Sequence, residues 1–230
     1  RRAQAPYIET LLGLLAACRG QRVLELGAGT GNCTSAIGAG TPCEITALEI
    51  SRGMLLQALQ KNIPARWVRG SALHLPFSDV SFDFVFGTYM LHYIHDLNAL
   101  IEECARVLGR GCTAFVTAPH SFIEHHPMND YFPSFSKVDL ARFQPIDAVE
   151  SALRAAGYQR VDHAIKKRPA EPVDEAYADK VAGKFLSTFD LLPPDEFSDG
   201  LARLRRDVSE KRRPGLTVTW ETVTIWGWLE

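Results

Sequence analysis

The first two-thirds of the chain alternates short β-rich apolar runs with stretches in which apolar residues recur every three or four positions. Leu11, Leu12, Leu14 and Leu15 give the apolar stripe of an opening helix, and Gly20 closes it. Arg22–Leu26 reads as a buried strand that leads into a glycine loop. Further strands follow at Glu44–Ile50, Arg66–Arg69, Phe82–Gly87 and Thr113–Ala118, with helices between them at about 32–39, 51–61 and 97–108. In the last helix Leu97, Leu100, Ile101, Cys104, Val107 and Leu108 keep the spacing of a core-facing stripe. This alternation predicts an α/β fold, a doubly wound sheet with helices on both faces.

The rhythm changes after Pro119. His120–Phe135 is rich in aromatics, prolines and histidines and reads as a loop or lid. A helix over 146–156 ends at Gly157 and leads into a sixth strand, Tyr158–Ile165. Two polar helical stretches follow, at 175–187 and 194–210. The final run, Leu216–Leu229, has a β pattern in which Trp220, Trp226 and Trp228 share one parity and should face one side of the sheet.

Composition narrows the function classes. The chain has 230 residues, 46% of them hydrophobic and 23% charged, with a net charge of -2. That balance gives no general attraction to nucleic acid or anionic membrane. No apolar run reaches bilayer length and the start lacks a signal-peptide pattern, so a cytoplasmic protein is expected; the chain begins at Arg1 without methionine, which leaves room for preceding residues. Cys18, Cys33, Cys43, Cys104 and Cys112 have no CxxC spacing and read as thiols in a reducing compartment.

Gly27-Ala28-Gly29-Thr30-Gly31 lies between a strand and a helix, where glycine permits a tight turn and close approach to a ligand. A dinucleotide loop follows G-x-G-x-x-G; here the spacing is G-x-G-x-G, and Asn32 stands where the last glycine is expected. Glu49 ends the second strand, where a carboxylate can accept from both ribose hydroxyls of an adenosine. NAD needs the same carboxylate, and a surface acid at a strand end is the other reading of it.

VLELGAGTGN at 23–32 resembles the first motif of class I S-adenosylmethionine (SAM)-dependent methyltransferases, particularly those acting on small molecules and quinones. The similarity continues, in order, through ALEIS at 47–51, GSALHLPF at 70–77, SFDFVFGTYMLHYIHD at 81–96 and RVLGRGC at 106–112, and more loosely AAGY at 155–158. The resemblance implies a Rossmann-like, seven-stranded, mostly parallel sheet with an antiparallel last strand and a small helical cap. With the lid-like segment at 119–145 and the later helical stretches as a cap insertion at 170–214, the expected organisation is a single domain over 1–230. Glu25, Gly27 and Gly29 should lie beside the methionyl part of SAM, Gly31 at the helix start and Glu49 on the ribose. Ile50 and Met54 should offer an apolar surface near the adenine, or are ordinary core residues. Ser71 and Ala72 occupy positions where the family often has aspartate and alanine, near the adenine amine; serine removes the charged acceptor. Backbone carbonyls of Gly87 and Thr88 should face the SAM amino group.

The sulfonium already makes the methyl group electrophilic, so the protein has to exclude water and align an acceptor. A base is needed only where the acceptor must lose a proton. Tyr89 and His92, and less directly His95, are the candidates; their other reading is as aromatics and structural histidines of the lip. His120, Glu124, His125 and His126 are residue types that bind metal, but with Met128, Tyr131, Phe132 and Phe135 they read as a substrate cover, and no metal is expected. Lys166, Lys167, Arg168, Arg203, Arg205, Arg206, Lys211, Arg212 and Arg213 are interspersed with acids, as on a solvated face. The expected reaction is methyl transfer from SAM to a small-molecule acceptor, leaving S-adenosylhomocysteine (SAH). A nucleotide-dependent oxidoreductase, a non-catalytic SAM-binding accessory protein and an RNA methyltransferase are the alternatives.

Overall fold

The computed structural model describes residues 5–19 and 21–230, so Gly20, the expected stop of the first helix, lies outside the described residues. In chain order the elements are α1 (Pro6–Ala17), β1 (Arg22–Leu26), α2 (Asn32–Gly40), β2 (Glu44–Glu49), α3 (Arg52–Leu59), β3 (Arg66–Arg69) and β4 (Phe84–Thr88). Then come α4 (Leu97–Leu108), β5 (Gly111–Thr117), α5 (His120–Glu124), α6 (Phe135–Leu140), α7 (Ile146–Ala155) and β6 (Arg160–Lys167). The remainder is β7 (Glu171–Pro172), α8 (Glu175–Ala182), α9 (Pro194–Ser209), β8 (Thr217–Val218) and β9 (Glu221–Leu229). The chain divides into two compact units: one runs through Thr117 and adds Gln144–Lys166 and Thr222–Glu230; the other holds Ala118–Phe143 and Lys167–Glu221.

The first unit is built on a seven-stranded sheet of order β3-β2-β1-β4-β5-β9-β6. Strands β1 to β5 pair in parallel, and β9 runs antiparallel to β5, with Phe115 opposite Ile225. Alternate residues of each strand feed opposite layers, because successive side chains point to opposite faces. Leu24, Leu26, Val85 and Phe115 pack with α4 and α7 through Leu100, Ile101, Cys104, Val149 and Leu153. Val23, Ile45, Phe84 and Phe86 pack with α1 and α2 through Leu11, Leu14, Leu15 and Ile37. The strand order reverses at β1, which is flanked by β2 and β4; open α/β sheets bind ligands beyond the carboxyl ends of strands at such a point.

The second unit has its own core around Phe132, Phe135, Tyr177, Phe189 and Leu204. Buried Asp139 accepts from Thr188 Oγ1 at 2.8 Å and pairs with Arg142 at 2.8 Å, joining α6 to the turn Ser187–Asp190. The stretch expected to be helical over 175–187 stops at Ala182, since Gly183 caps it and a separate turn follows.

The terminal β run is the main departure from the pattern. Pairing breaks at Thr219 and Trp220, so β8 joins β7 in a separate two-stranded sheet and only Glu221–Leu229 enters the large one. Trp226 and Trp228 pack with the α1–α2 layer, whereas Trp220 lies in the core of the second unit with its Nε1–H donated to Glu171 at 2.9 Å. Parity holds only within one unbroken strand, so the three tryptophans do not share a face.

Candidate functional site

A cleft of about 780 Å³ opens at the carboxyl ends of β1, β2 and β4. Its first wall is the glycine loop, where Gly27, Gly29 and Gly31 have φ of 65°, 57° and 81°. A Cβ on Gly27 would stand 2.9 Å from Met90 Cβ, and one on Gly87 would stand 2.9 Å from Met90 Cγ. Met90 therefore fills the groove over both glycines, and neither position has room for a side chain. Gly31 caps α2 and is covered by Ile63 and Trp67. Lys61 Nζ donates to Thr30 Oγ1 at 3.1 Å and Asn32 Oδ1 at 2.8 Å, so Asn32 ties the start of α2 to the chain after α3.

Glu49 is no surface acid: it is 5% exposed. Its Oε2 accepts from Gly29 N–H at 2.8 Å and its Oε1 from Ser51 N–H at 2.7 Å. Ser51 in turn caps α3, accepting from Met54 N–H. Ile50 and Met54, at 64% and 48% exposed, stand on the rim of the cleft rather than in the core. Ser71 Oγ accepts from Leu73 N–H at 3.2 Å, folding the Gly70–Leu73 turn that forms the far wall.

Thr88 and Tyr89 continue β4 into the cleft. Tyr89 has φ of 50°, a left-handed conformation that side chains rarely adopt, and its ring meets Tyr7 edge-on at 6.1 Å. The Cys33 thiol is buried beside Thr88 and pushed well above the usual thiol range by desolvation, so it stays neutral. Glu25 lies just behind this wall, fully buried; desolvation first, and then the nearby Glu49 charge, push its carboxyl up to about 8, against a hydrogen bond from Thr34 Oγ1.

Of the residues singled out from sequence, Gly27, Gly29, Glu49, Ile50, Met54, Ser71, Ala72, Thr88, Tyr89 and His95 line one cleft. Glu25, Gly31, Gly87 and His92 are not in its wall; the His92 ring lies 4.1 Å from that of Tyr93, which is. Tyr7, Cys33, Met90, Tyr93 and Ile94 were not foreseen as lining residues. The lid histidines turn to separate partners: His120 Nε2 to Phe143 O, His125 Nδ1 to Ser121 O, and His126 Nδ1 to Met128 N–H.

A family of methyltransferase domains matches residues 24–116, the span that builds β1 to β5 and this cleft. Over this span the chain belongs to the class I SAM-dependent methyltransferases, of the type 11 kind. Such methyltransferases include its curated relatives. The demethylmenaquinone methyltransferase of Corynebacterium efficiens is 41% identical over 93 residues, 40% of this chain and 39% of that one. The malonyl-[acyl-carrier protein] O-methyltransferase of Methylococcus capsulatus is 33% identical over 150 residues, 61% of this chain and 52% of that one. The chain thus spans about half or less of the length of these methyltransferases. A solved structure from Anabaena variabilis, described as a methyltransferase from an antibiotic biosynthesis pathway, shares the fold with a TM-score of 0.82. It is 24% identical, with 96% of each chain covered.

Proposed function

We propose that this methyltransferase transfers a methyl group from SAM to a small-molecule acceptor, leaving SAH, and that the cleft beyond β1, β2 and β4 takes the cofactor. The observation that carries the reading is Glu49. Its carboxylate is buried at the end of β2, braced by two backbone N–H groups, and each oxygen keeps a further lone pair for a ribose hydroxyl.

The other residues fit the same group. Gly27 and Gly29 bare the loop backbone for the methionyl part, with Glu25 behind them and Gly31 starting α2. Ile50 and Met54 offer an exposed apolar surface to a purine, and Ser71 and Ala72 offer a hydroxyl and a backbone N–H to its edge. Carbonyls of Gly87 and Thr88 are assigned to the amino group. When bound, SAM supplies an electrophilic methyl on a sulfonium. The residues then have to hold an acceptor in line and keep water away. Tyr89 and His92 are the proposed bases for an acceptor that must lose a proton, and Tyr89 is better placed because it lines the cleft.

Small acceptors suit this reading better than RNA. In the second unit Arg205, Arg212 and Arg213 are paired with Asp179, Glu210 and Asp130, which offsets part of the positive charge that a phosphate backbone would need. The 119–145 and 170–214 segments are proposed as the lid and cap that select the acceptor. No helix among the described residues is long and apolar enough to cross a membrane. A cytoplasmic location belongs to the proposal and is supported by the thiols of Cys33, Cys43, Cys104 and Cys112.

Calorimetry with SAM, SAH and NAD tests the cofactor. The expected result is binding of both SAM ligands; binding of NAD alone would sink the proposal. SAH release is then measured over a panel headed by quinol and malonyl-thioester acceptors, chosen from the relatives' substrates. SAM binding without turnover on any acceptor would favour the accessory-protein alternative.

A further inference from the structure

Glu25 stands in β1 two residues before Gly27, whose backbone lines the cleft, and its side chain points to the α2 face of the sheet. It is 0% exposed. Thr34 Oγ1 donates to Oε2 at 2.6 Å, while Oε1 is buried with no hydrogen-bond partner among the described residues. A buried carboxylate stays ionised when several donors or a cation hold it, and one neutral hydroxyl is too little.

Among the described residues, the groups that act on Glu25 add no positive charge. Glu49 faces Glu25 from β2, and Cys33 faces it from α2 with a neutral thiol. On β4 its register partner is apolar Phe86, and Thr88 is engaged with Cys33. Lys61, beyond α3, is exposed and directed at Thr30 and Asn32. Burial with a single neutral donor beside a second carboxylate therefore favours the protonated form of Glu25 at neutral pH.

We propose that Glu25 discriminates the two forms of the cofactor by charge, losing its proton to solvent when a sulfonium cation occupies the cleft and keeping it when a neutral thioether does. The inference rests on the reading that this cleft takes SAM. SAM and SAH differ by one methyl group and one positive charge on sulfur. A carboxylate in a poorly hydrated place responds far more to that charge than a solvated one does. Ionised Glu25 favours the reactive form, and protonated Glu25 lets the spent form go. The preference for SAM over SAH accordingly rises with pH until Glu25 is ionised in the empty cleft as well.

The test is calorimetry in two buffers of different ionisation enthalpy, which counts protons released per ligand. Near pH 7 roughly one proton should leave per SAM bound and clearly fewer per SAH; at about pH 9.5 the SAM count should approach zero. Glu25→Gln should abolish the difference in counts and cut the preference for SAM over SAH by roughly tenfold. Equal counts for the two ligands in the unaltered protein overturn the proposal, and so does an unchanged count in Glu25→Gln. The first comparison needs no variant, so a misfolded substitution leaves the test intact. If neither ligand binds, the cofactor reading itself fails; if both bind with equal counts, only the charge discrimination fails.

Discussion

The backbone N–H of Gly29 donates to Glu49 Oε2 at 2.8 Å, joining the loop after β1 to the last residue of β2. One carboxylate thus shapes the loop and presents itself to the cleft. Glu49→Gln replaces one acceptor with a donor that meets an N–H group head-on. Hydrogen bonds to charged groups are worth about 1.5–3 kcal/mol, so SAM affinity should fall by roughly ten- to a hundredfold. A calorimetric Kd within twofold of the parent would contradict the assignment.

Ser71 offers a neutral hydroxyl that already accepts from Leu73 N–H at 3.2 Å. Ser71→Asp supplies a second acceptor oxygen and a charge. Charge-assisted bonds are roughly twice as strong as neutral ones, so SAM should bind about three- to tenfold more tightly. An analogue with a carbonyl in place of the adenine amine should gain nothing. Equal gains for both ligands would place the purine edge elsewhere.

Burial pushes the Glu25 carboxyl from 4.5 to about 8, so between those values the ligand-free folded state binds more protons than the unfolded one. Stability should fall as pH rises through that window, by at most about 1.4 kcal/mol per pH unit, and then level off. Glu25→Gln removes this slope. Denaturant unfolding at pH 5, 7 and 9 measures it; parallel curves for the two proteins would mean that Glu25 stays ionised.

His126 is buried against Phe122, Phe135 and Trp220, with ring centroids 5.1 to 5.5 Å away. Burial lowers its pKa from 6.5 to about 4, so the unfolded chain binds the extra proton between those values. The second unit should lose stability as pH falls from about 6.5 to 4. His126→Gln keeps an acceptor for Met128 N–H and should flatten that loss, followed by Trp220 fluorescence. An acid transition identical to the parent's would exclude His126 as its source.

Tyr89 lines the cleft and His92 does not. For an acceptor that must be deprotonated, general-base loss costs about 10²–10⁴ in rate. Tyr89→Phe should then lower kcat far more than His92→Ala, without a matching change in SAM affinity. The reverse order in a pH–rate comparison would make His92 the base.

The core of the site was legible because it depends on a few backbone-determined positions. Gly27 and Gly29 need positive φ, and Glu49 must end the strand beside them, so spacing alone brought them together. Tyr7 was invisible for the opposite reason: it reaches the cleft from a helix far away in sequence, and its local pattern is that of any helix start. Met90 was missed because its role, filling the groove over Gly27 and Gly87, exists only once β1 and β4 are neighbours. The Trp220 parity argument failed at a two-residue interruption that carries no glycine or proline to mark it. Ile50 and Met54 could not be told from core residues by type, and only their exposure decides that they form a rim.

The place of β9 between β5 and β6 has a consequence for how the chain is made. Strands β1 to β5 can find their partners as they leave the ribosome, whereas β6 has no neighbour in the sheet until β9 follows some fifty residues later. Until then the outer edge of β5 is bare, and nascent chains would be vulnerable there to edge-to-edge pairing with one another.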